Sequence, residues 1–298
     1  MSSPVPEAAP TGRIHDIGYR HYDGPRLGRA YIGRSLYINN VRSIYGLGRP
    51  AKSKIIPFLL AGFMFVPAAA SVAAHAISNK FTLMPYGNYA MDLQPLIAIF
   101  LAAQSPIVAS RELRTHTVPL YFSRPVSFFD YVLAKFGALV TAMFLLVALP
   151  LLLLYLGSLL TKDPDPGYQL GHFLLSLVGG AILALVLAAI GFLLAAYAPR
   201  RGFGIVAVMA VYLVSSALVG TMQSLAFSKG HYTLEGWLGL FTPFSLVQMV
   251  EVNLLQANQV MRLGYAGVLG GFVALALSGL TVACSLGLLY LRFRKAGR

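Results

Sequence analysis

Six apolar stretches constrain this chain more than any other feature: about Ile55–His75, Tyr89–Ala109, Tyr131–Leu160, His172–Ala198, Phe203–Ala226 and Leu263–Leu291. Each is long enough to cross about 30 Å of hydrocarbon, which takes roughly 20 helical residues. Inside lipid the backbone must satisfy its own hydrogen bonds, so runs of this length predict helices. With 57% hydrophobic and only 11% charged residues in 298, the sequence falls outside the range of soluble domains. It predicts an all-α integral membrane protein with six transmembrane helices. The third run is overlong and Pro150 offers a kink, while Pro95 and Pro106 punctuate the second.

A net charge of +13 would point to nucleic acid in a soluble chain, but here the basic residues follow membrane sidedness. Nineteen of the 23 fall in segments assigned to one side, and only Lys80, Lys162, Lys229 and Arg262 fall on the other. By the positive-inside rule both termini are cytoplasmic. The charge is then explained without nucleic acid. The single cysteine, Cys284, lies in an apolar run and leaves no partner for a disulfide or a cysteine metal site.

Residues 1–54 read as a cytoplasmic N-terminal segment, 55–291 as the transmembrane domain and 292–298 as a basic tail. No apolar signal-peptide core follows Met1–Ala9. His15, Asp16, His21 and Asp23 show no standard zinc or iron spacing, so no metal site is expected. From Ala30 to Tyr45 an amphipathic helix places Tyr37, Val41, Ile44 and Tyr45 on one face and Ser35, Asn39, Arg42 and Ser43 on the other. Arg34 intrudes on the apolar face. Its stem suits the membrane surface with the guanidinium at phosphate, and packing against cytoplasmic loops suits it equally.

Phe227–Arg262 is the one long external segment. It holds Leu234–Phe241, a Thr242-Pro243 break, and then Phe244, Val247, Val250 and Leu254 at helical spacing. Both pieces are too short to span, so interfacial or re-entrant helices are expected before the sixth span, with Trp237 at headgroup level.

The most polar stretch inside the apolar sequence runs from Ser110 to Lys135. Arg111, Glu112 and Arg114 set three charges within four residues, and Pro119 and Pro125 limit any helix beyond them. A short surface helix followed by a turn is expected. Glu112, Thr117, Leu120, Ser123-Arg124-Pro125 and Tyr131-Val132-Leu133-Ala134-Lys135 occur in an order that closely resembles the first cytoplasmic loop of bacterial ABC-2 type permeases. His116 departs from that pattern, standing where many relatives carry Gly. The Gly46–Lys52 lead-in and the Pro243-Phe244-Ser245 break also resemble segments of that family.

The resemblance implies a coupling helix between spans 2 and 3 that docks on a separate ATP-hydrolysing subunit. Arg111, Glu112, Arg114, His116 and Thr117 would take part, with Glu112 an exposed acceptor and Arg200 and Arg201 a second contact. It further implies a permease working as a homodimer or heterodimer with two ATPase subunits in a bacterial plasma membrane, usually for export. ATP and Mg would sit on the partner. This chain has no phosphate-binding Gly-x-x-x-x-Gly-Lys-Ser/Thr loop and no hydrolase or zinc-protease motif, so neither a cofactor nor a catalytic residue is expected in it.

Uncharged polar residues inside the spans include Gln104, Ser105, Thr141, Tyr212, Ser215, Ser216, Thr221 and Gln223. Interhelical hydrogen bonding accounts for such residues at about 0.6 to 2 kcal/mol each. The family resemblance allows Gln104, Tyr212, Ser215 and Ser216 to line a substrate path between two permease copies. Gly267 and Gly271 permit close helix approach, within the subunit or between copies. Two rival functions stay open. A secondary transporter would need an ionisable centre near the midplane, and a sensory or scaffold subunit would dock an ATPase without moving cargo.

Overall fold

The computed structural model describes residues 24, 28–77, 84–114, 117–122, 126–161, 166–255 and 266–296, and among these there is no β-strand. Helix α1 covers Arg29–Ile44, α2 Lys52–Ile77, α3 Tyr89–Asp92, α4 Gln94–Arg114, α5 Val118–Phe122 and α6 Phe128–Leu160. Then follow α7 Pro166–Tyr197, α8 Arg201–Ser228, α9 Tyr232–Leu238, α10 Pro243–Asn253 and α11 Gly267–Ala296. Five of these, α2, α6, α7, α8 and α11, are long and apolar enough to cross a membrane.

The second expected span differs from a single straight helix. The segments Tyr86–Asp92 and Gln94–Ala109 meet at an angle of 61°, and only counted together do they make a sixth candidate span. Leu93 leaves helical geometry at the break, and Pro95 supplies no backbone N–H to carry the ladder across it. Pro95 marks the place in the sequence, next to Asp92 and Gln94, but the size of the bend is set by the backbone and is not encoded in the apolar pattern.

Helix α7 sits at the centre, packed against α4, α6, α8, α10 and α11. Small residues make that possible. A Cβ on Gly191 would stand 2.8 Å from both Leu101 Cδ1 and Ser105 Oγ, so α4 approaches α7 only because that side chain is absent. Gly157 takes Val72 of α2 in the same way. Outward faces of α2, α8 and α11 remain apolar and exposed, with Phe63, Val214, Leu218 and Leu280 among them, as a lipid-facing surface requires.

Helix α1 forms where helical spacing predicts it and lies along α6, but Arg34 falls on the exposed side with Ser35, Asn39 and Arg42 instead of intruding on the apolar face. The Tyr37 and Thr141 hydroxyls are 2.8 Å apart, and Tyr45 donates to the Ala142 carbonyl at 3.0 Å. Asn40, on the packed face, is buried because its amide donates back to Leu36 O at 2.7 Å. Arg29 ties the other end, pairing with Asp130 and donating to Ser127 Oγ at 3.1 Å. Ser127 and Asp130 form a reciprocal capping box that starts α6.

Between α8 and residue 255 the chain forms two short helices joined by a 3-10 turn. Helices α9 and α10 flank a one-turn 3-10 helix at Gly239–Phe241, and Thr242 caps α10 by accepting from the Ser245 N–H at 3.2 Å. Helix α10 enters the helix assembly: Phe244 packs edge-on to Tyr212, well inside the length of α8, with ring centres 6.0 Å apart. Gly271 receives Leu254 and Asn253 from the end of α10, which assigns that glycine a contact within the subunit. Gly267 instead adopts φ +63 at the start of α11.

Candidate functional site

The polar stretch after the second apolar run is built differently from the expected surface helix. Helix α4 continues through Arg114, so Arg111, Glu112 and Arg114 lie on its last turns instead of on a separate element. Nothing in the 111–114 sequence interrupts an α-helix. The short helix α5 comes afterwards, with Pro119 in its first turn, where a missing N–H costs nothing. Thr117 links the two, its N–H donating to Glu112 O at 3.2 Å. His116 and Ser123-Arg124-Pro125 lie outside the described residues.

Glu112 is not the exposed acceptor expected of it. Its side chain is 17% exposed and lies 2.7 Å from the Lys135 ammonium, which is itself 1% exposed. Both carboxylate oxygens are engaged: Tyr121 donates to one at 3.3 Å, and Tyr131 donates to the other, which also takes the ion pair. A buried ammonium needs this much compensation, because a carboxylate alone does not satisfy its three donors. Lys135 gives a further hydrogen bond to Val108 O at 2.8 Å and lies 4.7 Å from the centre of the Tyr131 ring.

Phe293 of α11 closes the far side, 5.3 Å from Tyr131 between ring centres and 5.8 Å from the Lys135 ammonium. Four helices, α4, α5, α6 and α11, therefore meet at one charged centre. Tyr131, Lys135 and Phe293 were not among the predicted site residues. A signal for two of them was present: Tyr131 and Lys135 stand one helical turn apart, and a lysine within an apolar run demands a carboxylate nearby.

Arg200 and Arg201 are exposed at the α7–α8 turn, where Arg200 takes an extended conformation at the N-cap of α8. At the other end of α1, the hydrogen bond to Asp130 and then its charge push the Arg29 guanidinium above its ordinary pKa.

The predicted path residues divide. Tyr212 is buried and donates to Leu187 O of α7 at 3.0 Å, so its hydroxyl is used in helix packing. Ser215 and Ser216 are half-buried, and the Ser215 hydroxyl donates within its own helix to Tyr212 O at 3.3 Å. Gln104 is 2% exposed, and its amide oxygen has no hydrogen-bond partner among the described residues. Its neighbour Ser105 packs on Gly191, one turn along α7 from Leu187. The residues thus gather around one stretch of α7 but do not share an open surface.

Glu251, which sequence reasoning left unassigned, is buried at 6% exposure and lies against the glycine backbone at Gly179 of α7. It borders a water-sized space with Gln248, Gly87 and Leu183. Gln248 reaches Asn88 Oδ1 at 3.5 Å. Among the described residues no group of three or more His, Cys, Asp or Glu side chains could hold a metal. No protein-family model matches the sequence, and no curated protein matches it.

Proposed function

We propose that this chain is the membrane-spanning permease subunit of an ABC-2 type transporter, an exporter driven by ATP hydrolysis on two separate ATPase subunits. The observation that carries the reading is the charged centre at the α4–α6 junction. It links the end of one membrane helix, a short helix and the start of the next to α11 through Glu112 and Lys135. A push on α5 would pass through Tyr121 and Glu112 into α4 and α6 together, because a buried ion pair with full hydrogen bonding moves as a unit. Arg200 and Arg201 offer a second exposed contact on the same cytoplasmic side. Two copies of the chain would enclose the path in a bacterial plasma membrane, with both termini in the cytoplasm and α9–α10 as re-entrant helices on the outer side. Gln104, buried beside α7 with an amide oxygen unpaired among the described residues, would meet polar cargo only when that packing opens.

Glu251 favours a second reading. A carboxyl group buried against α7 is the one observation in its favour, because an ion-coupled transporter needs an ionisable group inside the helix assembly. The two readings separate on one preparation. The full chain, affinity-purified from its native membranes in a mild detergent, is assayed for co-purifying, vanadate-sensitive ATP hydrolysis that depends on Mg. Hydrolysis in step with the amount of chain supports the permease, whereas its absence, with proton uptake that Glu251→Gln abolishes, supports ion coupling.

A further inference from the structure

Two adjoining cavities of about 690 and 640 Å³ form a groove along α1 and share Asn39 and Arg42. The first is lined by Arg34 and Arg42 together with Tyr31, Ile38 and Tyr121. The second continues past the end of α1 to Leu47, Gly48 and Arg49. No acidic residue is among the described lining of either. Arg34 and Arg42 are exposed and make no ion pair among the described residues, whereas Tyr31, 55% exposed, and Ile38, 37% exposed, leave apolar surface between them.

The groove lies at a particular level of the fold. Arg29 is held at the start of α6 and Tyr45 at Ala142, within the long apolar stretch that follows Lys135. Gly46 and Gly48, at φ 67 and 80, then turn the chain straight into α2. There Ile55, Phe58, Leu59 and Phe63 are each at least half exposed, at 56%, 53%, 50% and 53%. Exposed guanidiniums at Arg34 and Arg42, with no ion pair among the described residues, thus stand ahead of an exposed apolar helix face that the end of α1 reaches through the Tyr45–Phe58 ring contact, 6.3 Å between centres. Arginine recognises phosphate oxygens in bidentate fashion, and interfacial helices combine that charge with buried apolar contact.

We infer that this groove binds the headgroup of an anionic phospholipid, with Arg34 and Arg42 on the phosphate and the acyl chains along the exposed face of α2. A soluble acidic partner would match the charge but would leave the apolar face of α2 unaddressed. The inference does not depend on the chain working with an ATPase.

The test uses the purified full chain in nanodiscs containing phosphatidylcholine and phosphatidylglycerol, with retained lipid counted by native mass spectrometry. Wild type should retain phosphatidylglycerol in preference to phosphatidylcholine, and excess inorganic phosphate should leave it bound. R34Q/R42Q should weaken retention on the order of thirtyfold, and either single variant about fivefold, at the usual contribution of a basic residue near an anionic headgroup. R34K/R42K should fall between wild type and R34Q/R42Q, since the charge is kept and the bidentate fork is lost. Equal retention of the two lipids, full displacement by inorganic phosphate, or undiminished retention in both single variants would overturn the assignment. So would a protein cross-linked at Arg34→Cys in native membranes with no lipid retained.

Discussion

Lys135 and Glu112, 23 positions apart in sequence, stand 2.7 Å apart where α4 ends and α6 begins. Removing one partner leaves the other charge stranded in a largely dry site, which typically costs about 3 to 5 kcal/mol. Lys135→Met should therefore lower the melting temperature of the detergent-solubilised protein by several degrees. The exchanged pair Glu112→Lys with Lys135→Glu should recover part of that loss. A single-variant melting curve identical to wild type would contradict the pairing.

The same geometry changes what a variant at Glu112 can report. Glu112→Arg sets a guanidinium against the Lys135 ammonium, so loss of folded protein would accompany any loss of partner binding. Arg201→Glu, on an exposed turn, alters charge without that strain. It should leave the melting temperature within about 0.5 kcal/mol of wild type in stability and weaken ATPase co-purification. Unchanged co-purification would remove Arg201 from the docking surface.

Gly191 should tolerate no side chain. Gly191→Val must displace Leu101 and Ser105 of α4, and overpacking of this kind costs about 1 to 3 kcal/mol. Gly62→Ala, where a Cβ meets nothing within 4 Å, is the control and should be neutral or slightly stabilising in a thermal melt. Equal effects at the two positions would contradict the close α4–α7 packing.

Much of this was legible in the sequence, and the exceptions have physical causes. Apolar run length foretold the long helices, and helical spacing foretold α1, because both depend only on which residues face lipid or protein. Pro95 hinted at the break at Leu93, but a proline alone does not distinguish a mild kink from a 61° bend. Glu112 was placed on the surface by the charge of its neighbours, Arg111 and Arg114. Its true environment is set by Lys135, a tertiary contact that local composition does not encode. Glu251 was overlooked for the opposite reason: it sits in a segment too short to span, and only its seat on Gly179 reveals the burial.

Topology can be checked directly in a Cys284→Ser background, since the native cysteine is exposed. Lys229→Cys should react with a membrane-impermeant maleimide in intact cells, and Arg201→Cys only after permeabilisation. Labelling of Arg201→Cys from outside would reverse the proposed orientation.

In the proposed function α5 and the adjoining α4–α6 junction receive the motion of a separate ATPase. A photo-reactive amino acid at Pro119, exposed on α5, tests it in native membranes, with the same probe at the exposed Leu280 of α11 as the lipid-facing control. The account predicts that Pro119 cross-links to a protein carrying a phosphate-binding loop, that the yield changes when ATP and vanadate trap the complex, and that Leu280 gives no such product. Cross-linking of Pro119 to lipid alone, or to no ATPase under either condition, would contradict it.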